Sequence, residues 1–166
     1  MTPLITDNFL SEDFFKHIQS ILFGEKFNWY YMDNIDYLDD VDKFQFTHGF
    51  YNDDNGRTSE YFNLFDFLFH TVKAKELFNI KANLLTRTPK IVVNSFHTDR
   101  RSFQPGKNMT SIMYMNTNNG YTEFEDGTKV ESVANRFISF PVGMKHRGTS
   151  CTDKKIRIVI NFNYLT

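Results

Sequence analysis

Apolar positions in the first part of the chain fall at helical spacing. Phe14, Phe15, Ile18, Ile21 and Leu22 recur three and four residues apart, which predicts an amphipathic helix over roughly 12–23 with Ser11 at its N-cap. Tyr61, Leu64, Phe65, Leu68, Phe69 and Val72 repeat the pattern and predict a second helix over roughly 59–79. Between the two, the acidic stretches DNIDYLDDVDKF and YNDDNG read as loops around short strands at FNWYY and FTHGFY. The acidic run lacks the spaced ligands, turn glycine and closing glutamate of an EF-hand, so it reads as a solvated loop and not as a calcium site.

The period changes after Pro89. Short apolar runs, KIVVNSF, TSIMYMN, YTEFE, TKVESV, NRFISF and IRIVINFNY, alternate with the turn signals PGKN, NTNNG, EDG, PVG and CTD. That is the rhythm of a β-sandwich or small barrel, and helices followed by strands make the fold class α+β, with the helices packed on an outer face of a sheet. The last run shows how the two faces differ. Ile156, Ile158, Ile160, Phe162 and Tyr164 share one face, apolar enough to lie under the helices, whereas Arg157, Val159, Asn161 and Asn163 share the other. An arginine and two asparagines on an interior face are costly unless a ligand or an internal acid answers them.

Composition narrows the partners. In 166 residues, 19 basic and 20 acidic side chains nearly cancel, so no general positive field favours nucleic acid. No apolar run approaches the roughly 18 residues of a membrane span, and no signal-like N-terminus is present, which reads as a cytoplasmic protein without membrane attachment. The lone cysteine, Cys151, reads as a small packed hydrophobe. Nineteen phenylalanines and eight tyrosines predict an aromatic core.

The chemistry-bearing residues lie in the second half. His97 and Asp99 are two apart on an extended segment, so their side chains point the same way and can share one metal ion. His146, after FISFPVGMK, is either the third ligand or a solvent-exposed neighbour of Lys145 and Arg147. Two histidines and a carboxylate occupy one face of Fe(II) and leave three positions open, the set used by non-haem iron oxygenases. Arg157 on the interior face suits a bidentate carboxylate. His17, His48 and His70 read as packing or surface residues, and Arg100 and Arg101 as solvated or as contacts for an acidic substrate. The loop 33–58 and the segment 100–109 are candidate lids.

In order, HTD at 97–99, YMN at 114–116, GYTEF at 120–124, NRFISF at 135–140, KHRG at 145–148 and RIVINFNY at 157–164 resemble the Fe(II)- and 2-oxoglutarate-dependent oxygenases. The likeness is greatest to the prolyl-hydroxylase-like branch and to small versions encoded by bacteriophages, for which the host cytoplasm is the expected compartment. The opening DNFLSEDFFKHI is similar to the strand-then-helix start of that branch. The resemblance implies a double-stranded β-helix, or jelly roll, as a single domain over 1–166, with 1–88 a helical support region carrying short strands and 89–166 the jelly-roll core. It implies Fe(II) held by His97, Asp99 and His146, and 2-oxoglutarate held by Arg157 through its distal carboxylate. Tyr114, matching the tyrosine of a Y-L-N motif, is implied to bond the same carboxylate; the alternative for Tyr114 is a core aromatic. Gly120 and Thr122 match a turn and strand start and serve the fold.

Two positions depart from the family pattern. Val159 stands where many relatives have a serine or threonine two residues after the arginine, and the Y-x-x-G segment ahead of the H-x-D is missing, with Asn94 or Ser95 as candidate substitutes. The retained Asp99 separates the chain from halogenating relatives, which have a small residue there. The implied reaction is hydroxylation of a substrate by dioxygen, with a peptidyl residue such as proline as the candidate by likeness to that branch, and with release of succinate and CO2. The competing reading is a non-catalytic jelly-roll binding or virion accessory protein with a relic metal site.

Overall fold

A short edge strand, β1 (Leu4–Thr6), is followed by α1 (Glu12–Leu22) in the computed structural model, which describes residues 2–35, 43–99 and 108–166. Then come β2 (Tyr30–Met32), β3 (Gln45–Asn52), β4 (Gly56–Arg57), a 3-10 helix at Glu60–Phe65, α2 (Phe67–Thr71) and β5 (Glu76–Thr86). The remaining elements are all strands: β6 (Asn108–Tyr114), β7 (Tyr121–Phe124), β8 (Lys129–Glu131), β9 (Phe137–Pro141), β10 (His146–Gly148) and β11 (Ile156–Leu165). Eight of the strands make one antiparallel sheet, in which β1, β9, β6, β11, β5, β3 and β2 lie side by side and β4 pairs with β3. β10, β7 and β8 make a smaller antiparallel sheet facing it. The two open sheets form the α+β double-stranded β-helix expected from the strand rhythm, without closing into a continuous barrel.

The helix expected over 59–79 is corrected. Its first half is a 3-10 turn and then five residues of α2, and from Glu76 the chain runs as an eleven-residue strand in the middle of the large sheet. Lys73 takes a positive φ of 56° that ends the helical path. β5 then gains backbone partners on both edges, β11 along ten positions and β3 along six. Two ladders outweigh a local preference of a few tenths of a kcal/mol per residue. The first half of the chain therefore contributes β3 and β5 to the main sheet as well as helical support. The strand expected at KIVVNSF is mostly irregular: it forms a single isolated bridge, Val93–Thr149, flanked by backbone bonds from Asn94 to Gly148 and from Ser150 to Val92, and a second isolated bridge, His97–His146, follows just beyond it.

Strand alternation divides the interior in two. Ile158, Ile160, Phe162 and Tyr164 of β11, with Leu77, Ile80, Ala82 and Leu84 of β5, form the outer core under Phe15, Ile18 and Leu22 of α1. Phe50, Phe65 and Phe162 add edge-on aromatic contacts, so this core is as aromatic as composition indicated. Between the sheets a smaller cluster of Ile112, Tyr114, Phe124, Val130, Ile138, Phe140 and Val159 fills one end. Beside that cluster lies a cavity lined by polar inward residues, among them Lys81, Asn83, Arg157 and Asn161.

Candidate metal centre

The bridge between His97 and His146 builds the centre. Each histidine donates its backbone N–H to the other's carbonyl at 3.0 Å, so the two face each other as an antiparallel pair and their rings lie on the same side, with centroids 4.6 Å apart. Asp99, two residues after His97, returns to that side as strand geometry requires. Its Oδ1 lies 3.6 Å from Nε2 of each histidine, and one ligand atom from each of the three residues falls within 4.8 Å of the others. His146 is 2 % exposed and no solvent-facing loop residue. Its neighbour Arg147 turns away into an ion pair with Glu123 at 2.7 Å.

The remaining atoms fix which lone pairs face inward. His146 Nδ1–H donates to the carbonyl of Met144 at 3.1 Å, and His97 Nδ1–H to that of Ser95 at 3.4 Å, which leaves both Nε2 atoms as acceptors. Asp99 Oδ2 accepts from Thr110 Oγ1 at 2.9 Å and from Asn163 Nδ2 at 2.8 Å, so Oδ1 is the oxygen aimed at the histidines. Three converging acceptors repel unless a cation or a proton lies among them. Two imidazoles and a carboxylate suit a divalent first-row transition metal. Burial works against the Asp99 charge, but His97 and His146, wherever either carries a proton on Nε2, and the Asn163 amide overcome it and hold the carboxyl well below its ordinary range. Burial pushes His146 the other way, below the ordinary imidazole value, with Asp99 opposing.

Along the same cavity lies Arg157. It is 3 % exposed, and its Nε donates to Ser132 Oγ at 2.9 Å. No carboxylate among the described residues is within ion-pair distance of it, and burial pushes its guanidinium below the usual value. A side chain on Gly120 would have its Cβ 2.7 Å from Arg157 Cδ and from the carbonyl oxygen of Ser150, so only glycine lets the arginine pass. Tyr114 stands beside the arginine, its ring centroid 5.8 Å from Cζ, but its hydroxyl donates to Thr122 Oγ1 at 2.8 Å. Thr122, and not Tyr114, lines the cavity. Asn94 lines it as well, close to Gly148 and the arginine.

The cavity measures about 460 Å³ and takes in His97, Asp99, His146 and Arg157 together. It also takes in Lys81 and Asn83 of β5 and Asn161 of β11. Lys81, Asn83, Thr110 and Ser132 are absent from the residues singled out in the sequence; alternation along 76–86 identifies the first two once that segment is read as a strand. His17 and His70 are exposed, and His48 is buried with Nδ1–H donating to Asn28 O at 2.7 Å and Nε2 bonded to Ser59 Oγ at 2.8 Å. Cys151 is buried and bonds Lys154 O through Sγ at 3.4 Å. Arg100, Arg101 and parts of both candidate lid segments lie outside the described residues. No helix among the described residues is long and apolar enough to cross a membrane.

No protein-family model matches the chain, and no curated protein matches it in sequence. Solved structures do. A prolyl hydroxylase from Trichoplax adhaerens, in complex with a peptide fragment of the oxygen degradation domain of hypoxia inducible factor, superposes with a TM-score of 0.68 at 13 % identity, covering 98 % of this chain and 83 % of that one. A viral collagen prolyl hydroxylase from Paramecium Bursaria Chlorella virus-1, as a 2-oxoglutarate complex, gives 0.62 at 14 % identity, covering 100 % and 97 %. A non-haem α-ketoglutarate-dependent carbocyclase of nogalamycin biosynthesis gives 0.68 at 10 % identity, covering 98 % and 79 %. The chain has the double-stranded β-helix fold of these oxygenases, in the form its prolyl hydroxylase neighbours share.

Proposed function

We propose that this chain is an Fe(II)- and 2-oxoglutarate-dependent oxygenase that hydroxylates a C–H bond of its substrate. His97, Asp99 and His146 hold the metal, and Arg157 holds the distal carboxylate of 2-oxoglutarate. The observation that carries the reading is the pairing, in one cavity, of a converging two-histidine, one-carboxylate set with a buried arginine that has no acid partner among the described residues. A metal site alone does not call for Arg157. A diacid bound to the metal at one end does, because its free carboxylate pairs with a guanidinium that burial has cut off from water.

When bound, the iron supplies the redox chemistry by which dioxygen and 2-oxoglutarate yield succinate and CO2, one oxygen atom entering succinate and the other the substrate. The protein's own part is placement. The two Nδ1 bonds keep each Nε2 as an acceptor, Thr110 and Asn163 hold Asp99 in one orientation, and Ser132, Gly120 and Tyr114 seat the arginine. Thr122 lines the cavity and its hydroxyl accepts from Tyr114, so Tyr114 acts on the cavity through Thr122. Peptidyl prolines are candidate substrates by likeness to the neighbours.

The test is anaerobic addition of Fe(II) and then 2-oxoglutarate to the purified protein, followed by visible absorption. A charge-transfer band is expected in the wild type, and Arg157→Ala is expected to lose it at the same 2-oxoglutarate concentration while still binding Fe(II). Fe(II) binding without the band would replace the enzyme by a metal-binding jelly-roll protein.

A further inference from the structure

The cavity contains a second cation that neither the metal nor the co-substrate anchor explains. Lys81 lies on the inner face of β5, because its neighbour Ala82 packs in the outer core, and its side chain lines the cavity. Among the described residues no carboxylate is within ion-pair distance of it. The register sets Lys81 directly opposite Asn161 on β11, with Asn83 two residues further along the same face. The side-chain oxygens of Asn83 and Asn161 are both buried without a hydrogen-bond donor, and no other buried side-chain nitrogen or oxygen among the described residues is left so. Such orphans are rare in folded proteins, and two of them on one wall beside an unanswered ammonium mark a surface whose partners come with a ligand.

Position separates this wall from the arginine anchor. Arg157 pairs with Leu85, four residues from the Asn161–Lys81 pair, or roughly 13 Å along the strands. The next inward residue of β11 after Asn161 is Asn163, which holds Asp99. The Lys81 wall is therefore at the metal end of the cavity, where a molecule to be oxidised must sit. An ammonium needs an anion and two amide oxygens need N–H groups. A carboxylate next to an amine supplies both, across the short spacing of facing side chains on adjacent strands.

We propose that Lys81, Asn83 and Asn161 recognise the molecule that is oxidised, and that it is a free α-amino acid, its carboxylate on Lys81 and its amino N–H groups on the two asparagines. This rests on the oxygenase reading for the other ligands of the cavity. A cavity of about 460 Å³ that already accommodates a metal and a five-carbon diacid suits a molecule of that size.

Anaerobic calorimetry on the protein loaded with Mn(II) and 2-oxoglutarate decides it, with the free L-amino acids, the carboxamide of each binder, and a prolyl peptide blocked at both ends as titrants. At least one amino acid is expected to bind, its carboxamide at least tenfold more weakly. Lys81→Met and Lys81→Gln should each weaken the acid at least tenfold and leave Mn(II) and 2-oxoglutarate affinity unchanged. The proposal is overturned if no amino acid binds, if only the blocked peptide binds, if acid and carboxamide bind equally, or if the Lys81 variants weaken 2-oxoglutarate instead. Failure of the wild type to bind 2-oxoglutarate would sink the oxygenase reading separately, and the same titrants on the Mn(II) protein would still decide the Lys81 wall.

Discussion

Asp99 shows how much of a metal ligand's behaviour is set by atoms that never touch the metal. Oδ2 is tied by Thr110 and Asn163, leaving Oδ1 to point at the two Nε2 atoms. Asn163→Leu keeps the volume and removes one tie, so Fe(II) affinity should fall by about tenfold to a hundredfold, read by anaerobic titration, with the unfolding midpoint measured alongside. An unchanged affinity would make Asn163 a packing residue only. His146 gives a pH dependence with a definite sign. Burial depresses its pKa below the ordinary 6.5, so as pH falls below that value the unfolded chain takes up a proton that the folded one resists. The metal-free protein should lose stability between pH 7 and pH 5.5, at up to about 1.4 kcal/mol per pH unit for one proton. Urea unfolding at the two values checks this, and the slope should shrink in His146→Gln. Asp99, whose pKa is lowered, contributes stability above its ordinary 3.8 and loses it only at lower pH, outside that window.

At the scale of the element, β11 carries two functions on two faces. Ile160 is fully buried in the outer core opposite Ala82, while Asn161 beside it faces the cavity. Ile160→Ala should cost about 2–5 kcal/mol of stability and leave metal affinity unchanged under conditions where the variant is folded; chemical denaturation and metal titration on the same sample separate the two. A parallel loss of metal affinity would show that the faces are coupled. The alternation of β11 was legible in the sequence because both faces are long and consistent. β5 was not, although it has the same two-faced design. Its inward positions include Lys81 and Asn83 and its outward ones follow directly on the apolar spacing of 61–72, so local pattern continues a helix where cross-strand pairing makes a strand.

For the whole molecule, the centre lies where separate parts of the chain meet: His97 and Asp99 from an irregular segment, His146 from the small sheet, Thr110 and Asn163 from the large one. A metal bound there ties the sheets together, and the unfolded chain has no such site. Fe(II) at a hundredfold excess over its Kd should stabilise the fold by about 2.7 kcal/mol, a rise in melting temperature that chelation reverses and that Asp99→Ala abolishes. Equal melting temperatures with and without metal would mean the three residues do not bind it in the folded state.

Taken by itself, the sequence determined the residue types, the H-x-D spacing that puts two ligand groups on one side, the two faces of the last strand and the α+β class with its strand-rich second half, because each depends on neighbours within a few positions. Only the tertiary structure decided that His146 faces His97 across a bridge, that β5 is a central strand, that Tyr114 spends its hydroxyl on Thr122, and that Lys81 shares a wall with Asn161. Those outcomes turn on contacts between residues far apart in the chain. Strand pairing and burial set them, and both are properties of the assembled sheets and not of any local stretch.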